Sequence, residues 1–213
     1  MADLVFYTHP QSRGQTIRWM LEEVGAPYDT EVLDYASTMK AEPYLSINPM
    51  GKVPAIRHKG KVVTEVAAIC CYLADAFPEA KLAPPPADRA DYYRWIFFTS
   101  GPIEAAFSNK AAGWEPTPER QRMFGYGNYD LAISTLEKAL AGKEYIAADH
   151  FTAADLFVGA NVNFMLAFNL LEPREVFVDY ARRMTDRPAY HRAKEIDSAL
   201  IAEIQATQAR QPA

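Results

Sequence analysis

Short apolar runs and helix-spaced apolar stripes alternate through the N-terminal part of the chain and then give way to stripes alone. Leu4-Val5-Phe6-Tyr7-Thr8 is apolar, branched and aromatic, and too short for a helix, so it reads as a buried strand that Pro10 ends. From Arg13 to Val24 the positions Ile17, Leu21 and Val24 recur at helical spacing, with Trp19 and Met20 beside them, and Gly25 stops the helix. Tyr28 to Leu33 reads as a second strand. Ala55 to His58 and Val62-Val63 form a hairpin through Lys59-Gly60. Glu65 to Phe77 carries Ala68, Ile69, Tyr72, Leu73 and Ala76 on one helical face before Pro78 ends it. The sum is strand, helix, strand, hairpin and helix: a small α/β unit with a mixed sheet.

Pro84-Pro85-Pro86 lies in a stretch poor in apolar residues, which places a linker at 80–87 between a first domain at 1–79 and a second at 88–213. The second domain shows no convincing strand. Asp88 to Phe107 reads as one long helix, with Tyr92, Trp95, Ile96 and Thr99 on one side. Glu119 to Leu140 reads as another, irregular near Gly125 and Gly127. Thr152 and Asp155 form a capping-box pattern, with Asp in place of the usual Glu or Gln, ahead of the apolar helix Leu156 to Leu166. Helices over Val176 to Met184 and Pro188 to about Ala206 follow, and the tail from Gln208 to Ala213 is expected to fray.

The 213 residues are 49% hydrophobic and carry a net charge of −5, enough apolar content for a substantial core and no basic tract for nucleic acid. No apolar run reaches membrane-spanning length and no leader pattern opens the chain, so the expectation is a cytoplasmic protein without membrane contact. The 2 cysteines, Cys70 and Cys71, are adjacent on a predicted helix, which suits neither a disulfide framework nor a Cys-x-x-Cys site. The 4 histidines, His9, His58, His150 and His191, lack ligand spacing, so no metal is expected.

One stretch changes this picture. Asn48-Pro49-Met50-Gly51-Lys52-Val53-Pro54-Ala55-Ile56 folds back tightly, and its sequel Thr64-Glu65-Val66 delivers an acid to a helix start. The residue before a proline is pushed to extended backbone, and X-Pro is the bond type that tolerates cis. A cis Val53-Pro54 bond would leave the Val53 backbone free to pair with an extended ligand. On its own, the stretch is an ordinary proline turn entering a strand.

In order and spacing, these elements resemble the cytosolic glutathione transferases over nearly the whole chain. Asn48-Pro49 through Pro54-Ala55-Ile56, Glu65 with Ala68-Ile69 and Tyr72-Leu73, the Thr152/Asp155 box and Arg187-Pro188 carry the likeness. The resemblance implies an α/β thioredoxin-like N-terminal domain that holds glutathione as co-substrate and an all-α C-terminal domain that shapes the pocket for a small hydrophobic electrophile. It also implies a homodimer. Carried over by position, Val53 would offer its backbone to the cysteinyl part of the tripeptide and Pro54 would be cis. Glu65 would meet the γ-glutamyl ammonium and Lys52 the glycine carboxylate. The family usually has a serine after this acid. Here Val66 keeps the N–H but not the hydroxyl, which weakens the expected affinity by roughly 0.5–1.5 kcal/mol.

The sulfur must react as thiolate, and lowering a thiol pKa from about 8.5 to about 6.5 takes roughly 2.7 kcal/mol. A hydroxyl donating to a charged acceptor contributes about 1.5–3 kcal/mol and a helix N-terminus about 0.3–1 kcal/mol, so one well-placed hydroxyl suffices. Ser12, at the start of the first helix, is the first candidate; as a plain helix cap it would need no chemistry. Tyr7, at the end of the first strand, is the second, with core packing as its ordinary role. Phe107, Trp114 and Phe168 are candidates for the second-substrate pocket. Conjugation is the leading activity. Glutathione-dependent peroxide or disulfide reduction is the alternative, along with a binding module without turnover, which Val66 keeps open.

Overall fold

The computed structural model describes residues 2–209. Of the tail expected to fray, residues 210–213 lie outside the described residues, while Gln208 and Ala209 are helical. The chain forms two compact units: one runs from the N-terminal end to Ala80 and resumes at Arg187, and the other is Lys81–Asp186.

The first unit holds β1 (Leu4–Thr8), α1 (Gly14–Val24), β2 (Asp29–Val32), β3 (Ala55–His58), β4 (Lys61–Thr64) and α2 (Val66–Ala76). The strands form one sheet in the order β2-β1-β3-β4, with β1 and β2 parallel and the other pairs antiparallel. Alternation along β1 explains why both its faces are buried. Leu4 and Phe6 are inside the core, while Tyr7 joins Leu33, Met39, Tyr44 and Ala55 in a separate cluster that Val53 packs against.

The last helix, Pro188–Ala209, also belongs to this unit, whereas the sequence pattern grouped it with the helices after residue 87. Side-chain complementarity with α1 accounts for this. Arg187 holds both carboxylate oxygens of Glu23 at 2.6 and 2.9 Å, Tyr190 sits edge-on to Trp19, and Arg18 pairs with Asp197.

The second unit is helical. Over the stretch expected to be one long helix, α3 (Ala90–Phe98) opens into a π-helical turn, Thr99–Ile103, and closes again into α4 (Glu104–Ala111). Pro102 supplies the reason: it lacks an N–H, and its ring would strike the carbonyl one turn back in a regular α-helix. Downstream, only α5 (Tyr129–Leu140) of the expected Glu119–Leu140 helix is α-helical. Gly127, at φ +69°, and extended Asn128, whose side chain accepts from the Leu131 N–H at 2.8 Å, start a new helix there.

The apolar α6 (Ala153–Ala167) packs against α7 (Glu175–Thr185) and α3. Its capping box is present: buried Asp155 accepts from the Thr152 N–H at 3.0 Å and hydroxyl at 2.8 Å. The other carboxylate oxygen accepts from the Ile146 N–H at 2.7 Å and the Tyr180 hydroxyl at 2.9 Å. Among the described residues, no helix is long and apolar enough to cross a membrane.

Candidate functional site

Sheet register gathers the site at one end of the first unit. Tyr7 pairs with Ala55, Ala55 with Thr64, and Thr8 with Val32. The chain leaving β1 at His9, entering β3 from Val53-Pro54 and leaving β4 at Glu65 therefore lies at this one end of the sheet. The loop after β2 begins at this end too, where the Leu33 N–H donates to the Thr8 carbonyl at 2.8 Å. Four segments distant in sequence therefore meet here.

The Asn48–Val53 turn is built by its own polar groups. The Gly51 N–H donates to the Asn48 carbonyl at 2.8 Å, and the Asn48 amide donates to the Lys52 carbonyl at 2.8 Å. Tyr44 donates its hydroxyl to the same carbonyl, and Lys40 reaches the Gly51 carbonyl. Gly51 has φ +57°, and a Cβ there would lie 2.7 Å from the Met39 carbonyl oxygen, so the position requires glycine. The Val53–Pro54 peptide is cis. Among the described residues, the Val53 N–H and C=O find no hydrogen-bond partner. The Lys52 side chain is exposed beside them.

Glu65 stands at φ 66° and ψ 122°, outside the regions open to a side-chain-bearing residue. Its carbonyl accepts the Ile69 N–H at 2.9 Å, the first bond of α2. Among the described residues no side chain caps the helix, so the N–H groups of the first turn, Val66 included, keep their donors available beside an exposed carboxylate. A zwitterionic group is matched by this pairing of acid and N–H donors.

The two hydroxyl candidates stand in different states. Ser12 Oγ accepts from the Gly14 N–H at 2.9 Å and donates its hydrogen to the His9 carbonyl at 2.6 Å. The Tyr7 ring is buried, tilted 5.6 Å from Tyr44, and its hydroxyl has no hydrogen-bond partner among the described residues. Burial pushes the Tyr7 phenol above its ordinary pKa, with Arg57 opposing and Glu31 adding to the shift.

His9 and Tyr35 also belong to this cluster, and sequence reasoning passed over both. Their rings lie 4.5 Å apart. Tyr35 donates to the Gln11 carbonyl at 3.2 Å, and burial raises its phenol above the ordinary pKa, with the nearby Ser12 hydroxyl opposing. Spacing gave His9 no metal partners, and nothing in a polar loop marks Tyr35. Only the position of His9 beside Pro10 and Ser12 hinted at a role.

In the second unit, Phe107 is buried and linked through Phe164, at 6.1 Å, to the exposed ring of Phe168, at 4.6 Å from Phe164. Trp114 instead packs edge-on to Phe124 at 5.2 Å. The three pocket candidates thus divide between two aromatic groups.

A family model described as the glutathione S-transferase N-terminal domain matches residues 12–76. Glutathione S-transferase 3 of Schizosaccharomyces pombe is 30% identical over 171 residues, covering 71% of this chain and 70% of that protein. The chain belongs to the glutathione S-transferase family. Glutathione S-transferase GstA of Escherichia coli O157:H7 is 28% identical over 165 residues, covering 75% of this chain and 78% of that one. Among solved structures, the glutathione transferase of Methylococcus capsulatus superposes with a TM-score of 0.75 at 25% identity, covering 92% of this chain and 99% of its own. A sphingomonad glutathione S-transferase complexed with glutathione gives 0.71 at 25% identity, covering 91% and 98%. The sheet order, the first-unit helices and the helical second unit are those of this family's fold.

Proposed function

We propose that this chain is a cytoplasmic, homodimeric glutathione transferase that joins the glutathione sulfur to a small hydrophobic electrophile. The observation that carries this reading is Glu65, a strained residue at an uncapped helix start, at the same end of the sheet as the unpaired backbone of Val53. Strain of this kind costs about 1–3 kcal/mol and persists where surrounding structure and function require it.

The tripeptide would lie along Val53 as an added strand, its cysteinyl amide and carbonyl answering the free Val53 groups. The γ-glutamyl ammonium would meet Glu65, and its carboxylate the N–H groups opening α2. Lys52 would face the glycine carboxylate. Ser12 would donate its hydrogen to the thiolate. Turning that hydrogen from the His9 carbonyl gives up about 0.5–1.5 kcal/mol, while a bond to a charged sulfur returns about 1.5–3 kcal/mol. The carbonyl keeps the Ser12 N–H at 3.0 Å, and Oγ keeps the Gly14 N–H. The sulfur lone pair then forms a bond to the electrophilic carbon as its leaving group departs with the bonding electrons.

The Tyr7 hydroxyl is the second donor reading, favoured by its lack of a partner and by its packing in the cluster that holds Val53. Conjugation of glutathione to chlorodinitrobenzene by Ser12→Ala and Tyr7→Phe separates the two. The Ser12 reading expects the serine variant to lose turnover and the tyrosine variant to keep it. Loss in Tyr7→Phe alone transfers the role to Tyr7, and full activity in both removes hydroxyl activation.

A further inference from the structure

The turn that carries Ser12 is held together by a neutral imidazole. The Gln11 N–H can only donate, and it points at His9 Nδ1 at 3.2 Å, so Nδ1 is the acceptor and a ring proton sits on Nε2. The same residue's carbonyl accepts from the Ser12 N–H at 3.0 Å, the Ser12 hydroxyl at 2.6 Å and, more distantly, the Thr8 hydroxyl at 3.3 Å. His9 therefore closes the turn from both ends, through its ring at Gln11 and its backbone at Ser12. The Gln15 side chain donates to the Pro10 carbonyl at 2.6 Å and Tyr35 to the Gln11 carbonyl, so the remaining turn carbonyls are held as well. Gly14 leaves no slack beneath it: a Cβ there would lie 2.0 Å from Thr8 Oγ1.

We propose that His9 is a positioning residue for the thiolate donor: its unprotonated Nδ1 folds the Gln11–Ser12 turn and so aims the Ser12 hydroxyl, and protonation of that nitrogen releases the turn. The proposal rests on the reading of Ser12 as donor. A second proton on Nδ1 would confront the Gln11 N–H with another donor, and the contact would become repulsive. The groups facing the ring from the packed loop are Tyr35, whose ring lies against it, and Asp34. Burial pulls the imidazole below its ordinary pKa while Asp34 draws it back, which keeps the ring neutral at physiological pH. Asp34 is itself tied down, one carboxylate oxygen accepting from the Ala36 N–H, the Ser37 N–H and the Ser37 hydroxyl.

Asparagine provides the discriminating substitution. Its side-chain oxygen accepts from the N–H two residues on, as Nδ1 does here, but does not titrate. His9→Phe keeps a ring against Tyr35 and removes the acceptor. Conjugation of glutathione to chlorodinitrobenzene is measured from pH 5 to 8 for both variants, alone and in a Ser12→Ala background, with thermal unfolding as a check on folding. Expected are a loss in kcat of about tenfold for His9→Phe, the equivalent of one hydrogen bond near the upper end of its usual net worth, and recovery to within about threefold in His9→Asn. His9→Asn also has a shallower fall in kcat/KM on the acid side, because one proton fewer inactivates it. In the Ser12→Ala background, His9→Phe costs nothing further.

A His9→Asn protein as impaired as His9→Phe, an acid limb unchanged by Asn, or an undiminished His9→Phe effect without Ser12 overturns the proposal. Full activity of Ser12→Ala by itself overturns the parent reading instead. If His9→Phe fails to fold, His9→Asn and its acid limb carry the test alone.

Discussion

Arg18 Nε donates to Asp197 Oδ1 at 2.7 Å, joining two nearly inaccessible side chains 179 positions apart in sequence. The same guanidinium reaches the Tyr28 hydroxyl at 3.2 Å and the Thr30 hydroxyl at 3.3 Å, and lies 5.1 Å over the Phe6 ring. One cation thus ties β1, β2 and α1 to the last helix. Burial pushes the Asp197 carboxyl above its ordinary pKa, with Arg18 opposing. The pair sets the docking of the last helix more than it adds net stability, because desolvation consumes much of the attraction.

Asp197→Ala is therefore expected to destabilise the protein by about 3–5 kcal/mol, since it strands a buried cation. Replacing both partners, Arg18→Met with Asp197→Leu, should cost far less. Urea unfolding of the three proteins tests this, and a double variant as unstable as the single would contradict it.

Glu65→Gly separates strain from binding. Glycine accepts the observed backbone, recovering part of the roughly 1–3 kcal/mol of strain against about 0.5–1 kcal/mol for its own flexibility when unfolded. The expected outcome is an unchanged or higher melting temperature together with weaker glutathione binding by calorimetry. A lower melting temperature with unaltered binding would place Glu65 in the fold and outside the site.

Val66→Ser restores the hydroxyl this chain lacks at the start of α2. One added hydrogen bond of about 0.5–1.5 kcal/mol corresponds to roughly a two- to tenfold gain in glutathione affinity. Equilibrium titration measures it. An unchanged Kd would mean that the γ-glutamyl carboxylate does not sit at that helix end.

Acid should weaken the fold through its buried histidines. His58 meets the Tyr72 hydroxyl at 3.1 Å and stacks on Phe77; burial first, then Lys59, holds its pKa down, with Asp3 opposing. A depressed folded pKa means the unfolded chain takes up protons first. The contribution of His58, like that of His9, is complete above about pH 6.5 and is lost as pH falls through the folded value. Asp155 and Asp197 are pushed up by burial, and acidification through their folded values adds stability. A single-site comparison isolates the effect: His58→Phe should narrow the drop in denaturation midpoint between pH 7.5 and 5.5, whereas an equal drop in both proteins would refute the assignment.

Much of the fold was legible because local signals agreed with it. Leu4–Thr8 alternates as a strand buried on both faces, Gly25 closes α1 at φ +71°, and Thr152 with Asp155 announces α6. The irregularity expected near Gly127 in the Glu119–Leu140 helix is a complete break, because Gly127 and Asn128 start a new helix where the apolar spacing alone would carry on. Pro102 interrupts the long helix for a reason that a spacing pattern does not weigh: a missing donor inside a turn.

The site divides in the same way. Sequence by itself determined the proline-glycine turn, the acid at the head of α2, the missing hydroxyl at Val66 and the candidate hydroxyls of Tyr7 and Ser12, because each is a local residue choice with local backbone consequences. Tertiary structure alone decided that the Val53 turn lies at the same sheet end as the start of α2, that Tyr35 closes over His9, that the Ser12 hydrogen is directed at the His9 carbonyl and that Arg18 finds Asp197. Those relations join residues distant along the chain, and they are fixed by strand register and burial, which no short window of sequence encodes.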